Sequence, residues 1–157
     1  MRSLLNSFRF AARGIIRTVK TERNFRIHLV CMAYMYAYLG LYDWFTLSRE
    51  AWALLFAVNA LVLAAEVFNT AIEALTDLAT RRKHPLAAVA KDCAAGAVLV
   101  CAIGAVAVGL ALLYQPAAFE QMYNYYRENP LMLLALAISL GISALFVFGF
   151  KKAKKKP

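Results

Sequence analysis

An all-α integral-membrane fold, with an N-terminal amphipathic surface helix ahead of a set of transmembrane helices, is predicted by three features of the 157-residue sequence. Hydrophobic residues make up 62% of the chain and mean hydropathy is +0.58, too apolar for an ordinary soluble globule. Apolar runs close to the ~20 residues that a helix needs to cross hydrocarbon recur along the chain. The basic residues, which bring the formal net charge to +9, gather in patches between those runs rather than spreading over a nucleic-acid-binding face.

In chain order, Leu4, Leu5, Phe8, Ala11, Ala12, Ile15, Ile16 and Val19 recur at helical spacing, and Arg9, Arg13, Arg17 and Lys20 share the other side. This predicts a helix lying on a membrane surface with its cations toward anionic lipid headgroups; a partner-binding helix is the alternative. No compact apolar run with a small-residue cleavage site precedes it, so no cleaved signal peptide is expected. A first crossing runs from about Ile27 to Tyr42, marginal in length. After the turn "YDWFTLSRE", with Tyr42 and Trp44 at headgroup depth, a second runs from about Ala51 to Leu78 and exceeds what a bilayer requires. It ends before "TRRKHP", where Pro85 disfavours continued helix. The third spans about Asp92 to Tyr114, closed by Pro116. The tyrosine-rich "QPAAFEQMYNYYRENP" reads as an interfacial connection, and Leu131 to Phe150 as a fourth crossing before the tail "KKAKKKP".

Four crossings place the N-terminal segment, the loop from Arg81 to Lys91 and the tail on one side. Those segments hold all the Lys and Arg except Arg49 and Arg127, so the positive-inside rule puts both termini in the cytoplasm. The domain plan is then 1–26 for the surface helix and the motif after it, 27–114 for a three-crossing core, 115–130 for an extracytoplasmic connection and 131–157 for an extra crossing with a basic cytoplasmic tail. For that tail, a juxtamembrane stop contacting anionic lipid is a simpler reading than nucleic acid. Cys31, Cys93 and Cys101 show no CxxC or Cys/His ligand spacing and read as apolar thiols.

The second crossing carries the chemistry. Glu66, Asn69, Glu73 and Asp77 are spaced i, i+3, i+7 and i+11, which at about 100° per residue confines them to a face roughly 80° wide. Asn59 and Thr70 join it. A charge near the bilayer centre costs at least ~2.5 kcal/mol, so such a stripe implies a protein-lined or wet environment. A hydrogen-bonded glue between helices is the structural alternative, and the preferred one for Asn59. Carboxylates, however, are acceptors only and need cations or protons as partners; Mg²⁺, which favours oxygen ligands and is commonly held by one or two carboxylates plus phosphates, is the candidate. Glu22, Arg26, His28, Arg82, Lys83, His84, Lys91 and Asp92 fall toward the same end. Acids with adjoining cations suit phosphoryl transfer, which needs a metal, cationic clamps and a base for the hydroxyl. A proton or ion path would also use the acids but does not require the cations, and a non-enzymatic assembly protein would use the stripe for subunit contacts. His84 by itself reads as a loop histidine and Lys91-Asp92 as interface anchors. No GxxxxGK[ST] loop, protein-kinase signature, GxSxG or HExxH occurs.

The ordered motifs "ERNFRIH", "AEVFNTAIEALTD" and "H" followed by "AKDCAAGAVL" resemble those of the small bacterial integral-membrane diacylglycerol kinase and undecaprenol kinase family, over about Ser7 to Tyr114. The resemblance implies an ATP-dependent lipid kinase with a surface helix, three transmembrane helices per subunit and a homotrimer whose active sites are shared between subunits. Matched motif by motif, it implies Glu66 as the base for the lipid hydroxyl, Asn69 as the amide orienting the centre, and Glu22 and Glu73 as ligands of the Mg²⁺ that accompanies ATP. Asp77, His84, Lys91 and Asp92 fall on the nucleotide side, where Arg82 and Lys83 add positive charge. Three departures stand out: the fourth crossing with its lysine tail exceeds the three-helix core, Phe10 occupies a position where some members have a nucleotide-contacting tyrosine, and "NFRIH" is closer to the undecaprenol-kinase-like branch. The expected reaction is phosphorylation of undecaprenol in the bacterial cytoplasmic (inner) membrane, with diacylglycerol as the alternative acceptor.

Overall fold

The structure, a computed structural model, describes residues 2–80 and 82–149; Arg81 and the lysine tail lie outside the described residues. Among the described residues there are six α-helices and no strand: α1 (Arg2–Thr21), α2 (Arg23–Leu41), α3 (Arg49–Ala79), α4 (Pro85–Leu113), α5 (Pro116–Glu128) and α6 (Pro130–Phe148). The all-α expectation holds.

Amphipathicity shapes α1. Its apolar residues Leu4, Leu5, Phe8, Ile15 and Ile16 are all exposed, so among the described residues nothing covers that stripe. Near its end Thr18 is buried, its hydroxyl donating to the Gly14 carbonyl at 3.1 Å, and here α1 meets α2 and α3. The chain breaks at Glu22, whose extended backbone turns it into α2.

Helices α3, α4 and α6 are long and apolar enough to cross a membrane. The 19-residue α2 is not among them, because its arginines, His28 and tyrosines dilute the apolar run. Those polar groups are turned onto neighbouring helices. The Asn59 amide of α3 donates to the Tyr36 hydroxyl at 2.8 Å, and the Tyr34 hydroxyl donates to Ser139 of α6 at 2.8 Å and lies 3.2 Å from the Ser143 hydroxyl. The order of these pairs makes α2 antiparallel to both α3 and α6.

Helix α3 begins at a Ser48 cap, whose hydroxyl accepts from the Ala51 N–H at 3.2 Å, and runs for 31 residues. At 1.5 Å per residue that is about 46 Å, well beyond a ~30 Å hydrocarbon layer. Its packing partner α4 starts at Pro85, ahead of the third crossing expected from about Asp92. Proline stops a helix only from within; in the first turn its missing N–H has no partner to lose, and His84 caps the new helix by accepting from the Leu86 N–H at 3.3 Å. Lys91 and Asp92 therefore sit on a helix, not in a loop. The connection at 115–130 is likewise mostly helical, as α5, which packs on α6.

The two ends of the bundle differ. At one, Tyr42 and Trp44 stack with ring centroids 4.0 Å apart, Tyr125 and Tyr126 approach them edge-on, and the Tyr38 and Tyr126 hydroxyls bond at 2.7 Å. Gln115 braces the same end, accepting from the Thr46 N–H and donating to the Thr46 carbonyl, each at 3.1 Å. At the other end lie the Glu22 corner, the α3–α4 connection and the C-terminus of α6. Arg26, only 3% exposed, ties that end together: its Nε and Nη2 donate to the Val147 carbonyl at 3.0 and 2.9 Å, and its Nη1 to the Val19 carbonyl at 2.8 Å. A guanidinium between the C-terminal carbonyls of two helices satisfies groups that helix geometry leaves open and meets the negative ends of both dipoles.

Candidate active site

The expected stripe is real, and its members differ in environment. Glu66 is the deepest, 2% exposed, one helical turn from fully buried Val62. Among the described residues its Oε1 has no hydrogen-bond partner, and His28 Nε2 lies 3.7 Å from it, beyond hydrogen-bond length but within ion-pair range. Three positions on, the Asn69 amide donates to Glu73 Oε1 at 3.3 Å while its own Oδ1 is buried without a donor. Two adjacent buried acceptors without a protein donor cost about 1–3 kcal/mol each unless water or a ligand reaches them.

Glu22, at the α1–α2 corner, and Glu73, two turns along α3, both act electrostatically on Glu66, which places the three carboxylates in one neighbourhood. Both are half-buried. Among the described residues no three His, Cys, Asp or Glu side chains converge as a metal cage. Glu22 and Glu73 could therefore supply part of a coordination shell, with hard oxygens suited to a cation that takes its remaining ligands from phosphates and water.

Further along α3, Asp77 accepts from Lys91 Nζ of α4 at 2.6 Å. Both are about one-third exposed, so this pair contributes little to stability, of the order of 0–1 kcal/mol. What it does is hold the ammonium at the mouth of a cleft of about 560 Å³, lined by Asp77, Thr80, Arg82, Lys83, His84 and Lys91 among others. That volume is typical of small-ligand sites. Five of the expected site residues meet there. Asp92 does not: it is exposed, one residue round the helix from Lys91, and outside the cleft lining. His84 is at the rim, with Nδ1 engaged in capping α4.

Sequence reading passed over Thr76 and Thr80, which line the cleft on the α3 side; their spacing from Glu73 and Asp77 was the available signal. It also gave no role to Arg26 or His28, whose partners lie on other helices. An apolar groove of about 220 Å³, with Leu61, Ala65, Phe68, Ile72 and Ala94 in its walls, opens beside Asn69 between α3 and α4.

The profile of the prokaryotic diacylglycerol kinase family matches residues 9–113, from α1 through the end of α4. A Synechocystis diacylglycerol kinase is 44% identical over 115 residues, covering 73% of this chain and 64% of that protein, just under two thirds of its length. An undecaprenol kinase of Bacillus subtilis is 41% identical over 112 residues, covering 70% of this chain and 86% of its own, and a diacylglycerol kinase of Pseudomonas aeruginosa is 31% identical over 100 residues, covering 64% and 79%. No solved structure matches the chain significantly. With the profile spanning most of the sequence and the polar stripe and cation-lined cleft inside the matched region, the chain belongs to the prokaryotic diacylglycerol kinase family.

Proposed function

We propose that this chain is an ATP-dependent lipid kinase that transfers the γ-phosphoryl group to the hydroxyl of a membrane lipid alcohol, undecaprenol in preference to diacylglycerol. The observation that carries this reading is the buried Glu66 carboxylate, with one oxygen unpartnered, on the same helical face as a cation-lined cleft. A lipid hydroxyl at the membrane interface would meet Glu66, and an aqueous nucleotide would meet the cleft. The groove beside Asn69 gives an apolar chain a surface to lie on.

In this mechanism Glu66 takes the proton of the hydroxyl as the oxygen attacks phosphorus, and the open Asn69 carbonyl orients the reacting groups. Lys91, Arg82 and Lys83 offset the phosphate charge, with Asp77 holding Lys91 in place. His84, which caps α4, adds to the nucleotide side of the cleft, while Asp92 stands outside the cleft lining and takes no part in this arrangement. Glu22 and Glu73 would hold Mg²⁺ together with ATP oxygens, and the ion would supply charge neutralisation at the phosphates. Helix α1 lies on the membrane with Arg9, Arg13 and Arg17 toward anionic headgroups. Helices α2, α3, α4 and α6 cross the bacterial inner membrane with both termini cytoplasmic, and the large exposed apolar faces of α3 and α4 suit a homotrimer.

Undecaprenol is favoured by the "NFRIH" motif and by the fuller coverage of the Bacillus undecaprenol kinase; the Synechocystis and Pseudomonas relatives keep diacylglycerol as the second reading. A side-by-side assay of labelled phosphate transfer from ATP to each lipid in the same mixed micelles decides. The expected result is at least tenfold higher kcat/KM on undecaprenol, about 1.4 kcal/mol of discrimination. Equal values would defeat the preference, and transfer to neither lipid would defeat the kinase reading.

A further inference from the structure

The buried Glu66 carboxylate raises a problem for any reaction in which it takes a proton: at 3% side-chain exposure it has little contact with bulk water through which to lose that proton again. Among the described residues its Oε1 has no hydrogen-bond partner. The imidazole of His28, 3.7 Å away, is 24% exposed and so touches both the buried oxygen and solvent. A neutral imidazole presents a lone pair on one nitrogen and a proton on the other, and its ordinary titration range lies near neutrality, which suits a group that must load and unload a proton in every turnover. Bonds of this kind are often long in a ligand-free site and tighten when substrate arrives.

Resting on the assignment of Glu66 as base, we propose that His28 is a positioning residue that serves as the proton outlet of the reaction. The lipid O–H bond breaks and its proton passes to Glu66 Oε1. The lipid oxygen forms a bond to the γ-phosphorus, and the bond from that phosphorus to the ADP oxygen breaks, leaving ADP with its electron pair. Glu66 then hands the proton to His28 Nε2, and the imidazole releases it to water. The sum is lipid alcohol plus ATP giving lipid phosphate, ADP and one proton, with both side chains restored.

The groups around His28 allow this traffic. From α3 it faces Glu66, with Glu73 next along the stripe, and Glu22 stands at the α1–α2 corner. On its own helix, Arg26 is engaged by the carbonyls of Val19, Lys20 and Val147. Lys20 of α1 is exposed, and α6 carries no titratable residue between Pro130 and Phe148. The charge on the α3 side of the imidazole is thus negative.

The test uses the full-length protein in mixed micelles with undecaprenol and compares wild type, Glu66→Gln, His28→Gln and His28→Ala, with imidazole and methylated imidazoles added. His28→Gln keeps a polar side chain of similar reach but carries no proton, and is expected to lower kcat about a hundredfold, the low end of acid–base effects, with KM for ATP changed less than about twofold. His28→Ala should recover activity in proportion to imidazole concentration, with rescue varying with the basicity of the added base. A wild-type kcat in His28→Gln, or a loss in His28→Ala that no base restores, overturns the relay. An inactive Glu66→Gln beside a fully active His28→Gln removes the relay and leaves the base standing, whereas an active Glu66→Gln removes the base itself.

Discussion

Helices α3 and α6 are both long and apolar enough to cross a membrane, and both carry polar residues, but α6 closes its side-chain bonds within the protein whereas α3 closes some, as at Asn59, and leaves others open. On α6, Ser139 accepts from Tyr34 and donates to the Leu136 carbonyl, Ser143 lies within bonding distance of the same tyrosine, and the terminal Val147 carbonyl is held twice by Arg26. On α3, Glu66 Oε1 and Asn69 Oδ1 are buried and left open. A hydrogen bond closed within the protein fastens one helix to another, while an acceptor left open at a cost in stability is available to substrate. The family profile agrees with that division: α3 lies inside the matched residues 9–113 and α6 outside them. Polarity in a membrane helix is therefore informative through its satisfaction rather than through its presence.

The comparison breaks most visibly at Glu66. Glu66→Gln keeps the shape and removes the proposed base, so kcat should fall about a thousandfold while KM for ATP stays within about twofold, measured by steady-state phosphate transfer. Next is Glu73→Gln, which should raise the Mg²⁺ concentration for half-maximal activity by about tenfold with a smaller change in kcat at saturation, because in the proposed mechanism it alters a metal ligand and not the base. On the other side of the comparison, Arg26→Met leaves the Val147 and Val19 carbonyls without a donor. A loss of about 2 kcal/mol in unfolding experiments in detergent is expected, with the protein that remains folded showing an unchanged KM for the lipid. Smallest is Tyr34→Phe, which removes one hydroxyl shared by two serines and should cost about 0.6 kcal/mol, the usual scale for such bonds in membranes, with kcat unaltered. A drop in kcat for Tyr34→Phe as large as that for Glu66→Gln would mean that α6 belongs to the catalytic machinery after all.

Periodicity made the elements legible because an apolar run long enough to cross hydrocarbon has few alternatives. The limits of α3 and α6 came within a residue or two of the observed ones. The start of α4 is not legible in the sequence, because a proline such as Pro85 is a stop inside a helix and a start at its first turn, and only the His84 cap distinguishes the two. The stripe from Glu66 to Asp77 was readable because residues three, four and seven apart on one helix share a face whatever surrounds them. Contacts between helices were not readable. Nothing in the spacing of "ERNFRIH" pairs His28 with Glu66 or Arg26 with a carbonyl more than a hundred residues away.

The sequence by itself determined that this protein is a helical membrane protein with a basic amphipathic lead, that one helix bears acids on a single face, and that its ordered motifs are those of a lipid kinase family. These are properties of local pattern, set by the pitch of a helix and the thickness of a bilayer. The tertiary structure alone decided which of the acids is buried, which cation sits against Asp77, that Asp92 stands outside the cleft, and that the added helix α6 is fastened to α2 through Arg26 and Tyr34. Those outcomes depend on which faces of separate helices meet. Burial, and with it the chemistry of a carboxylate, is a property of the neighbours and not of the residue.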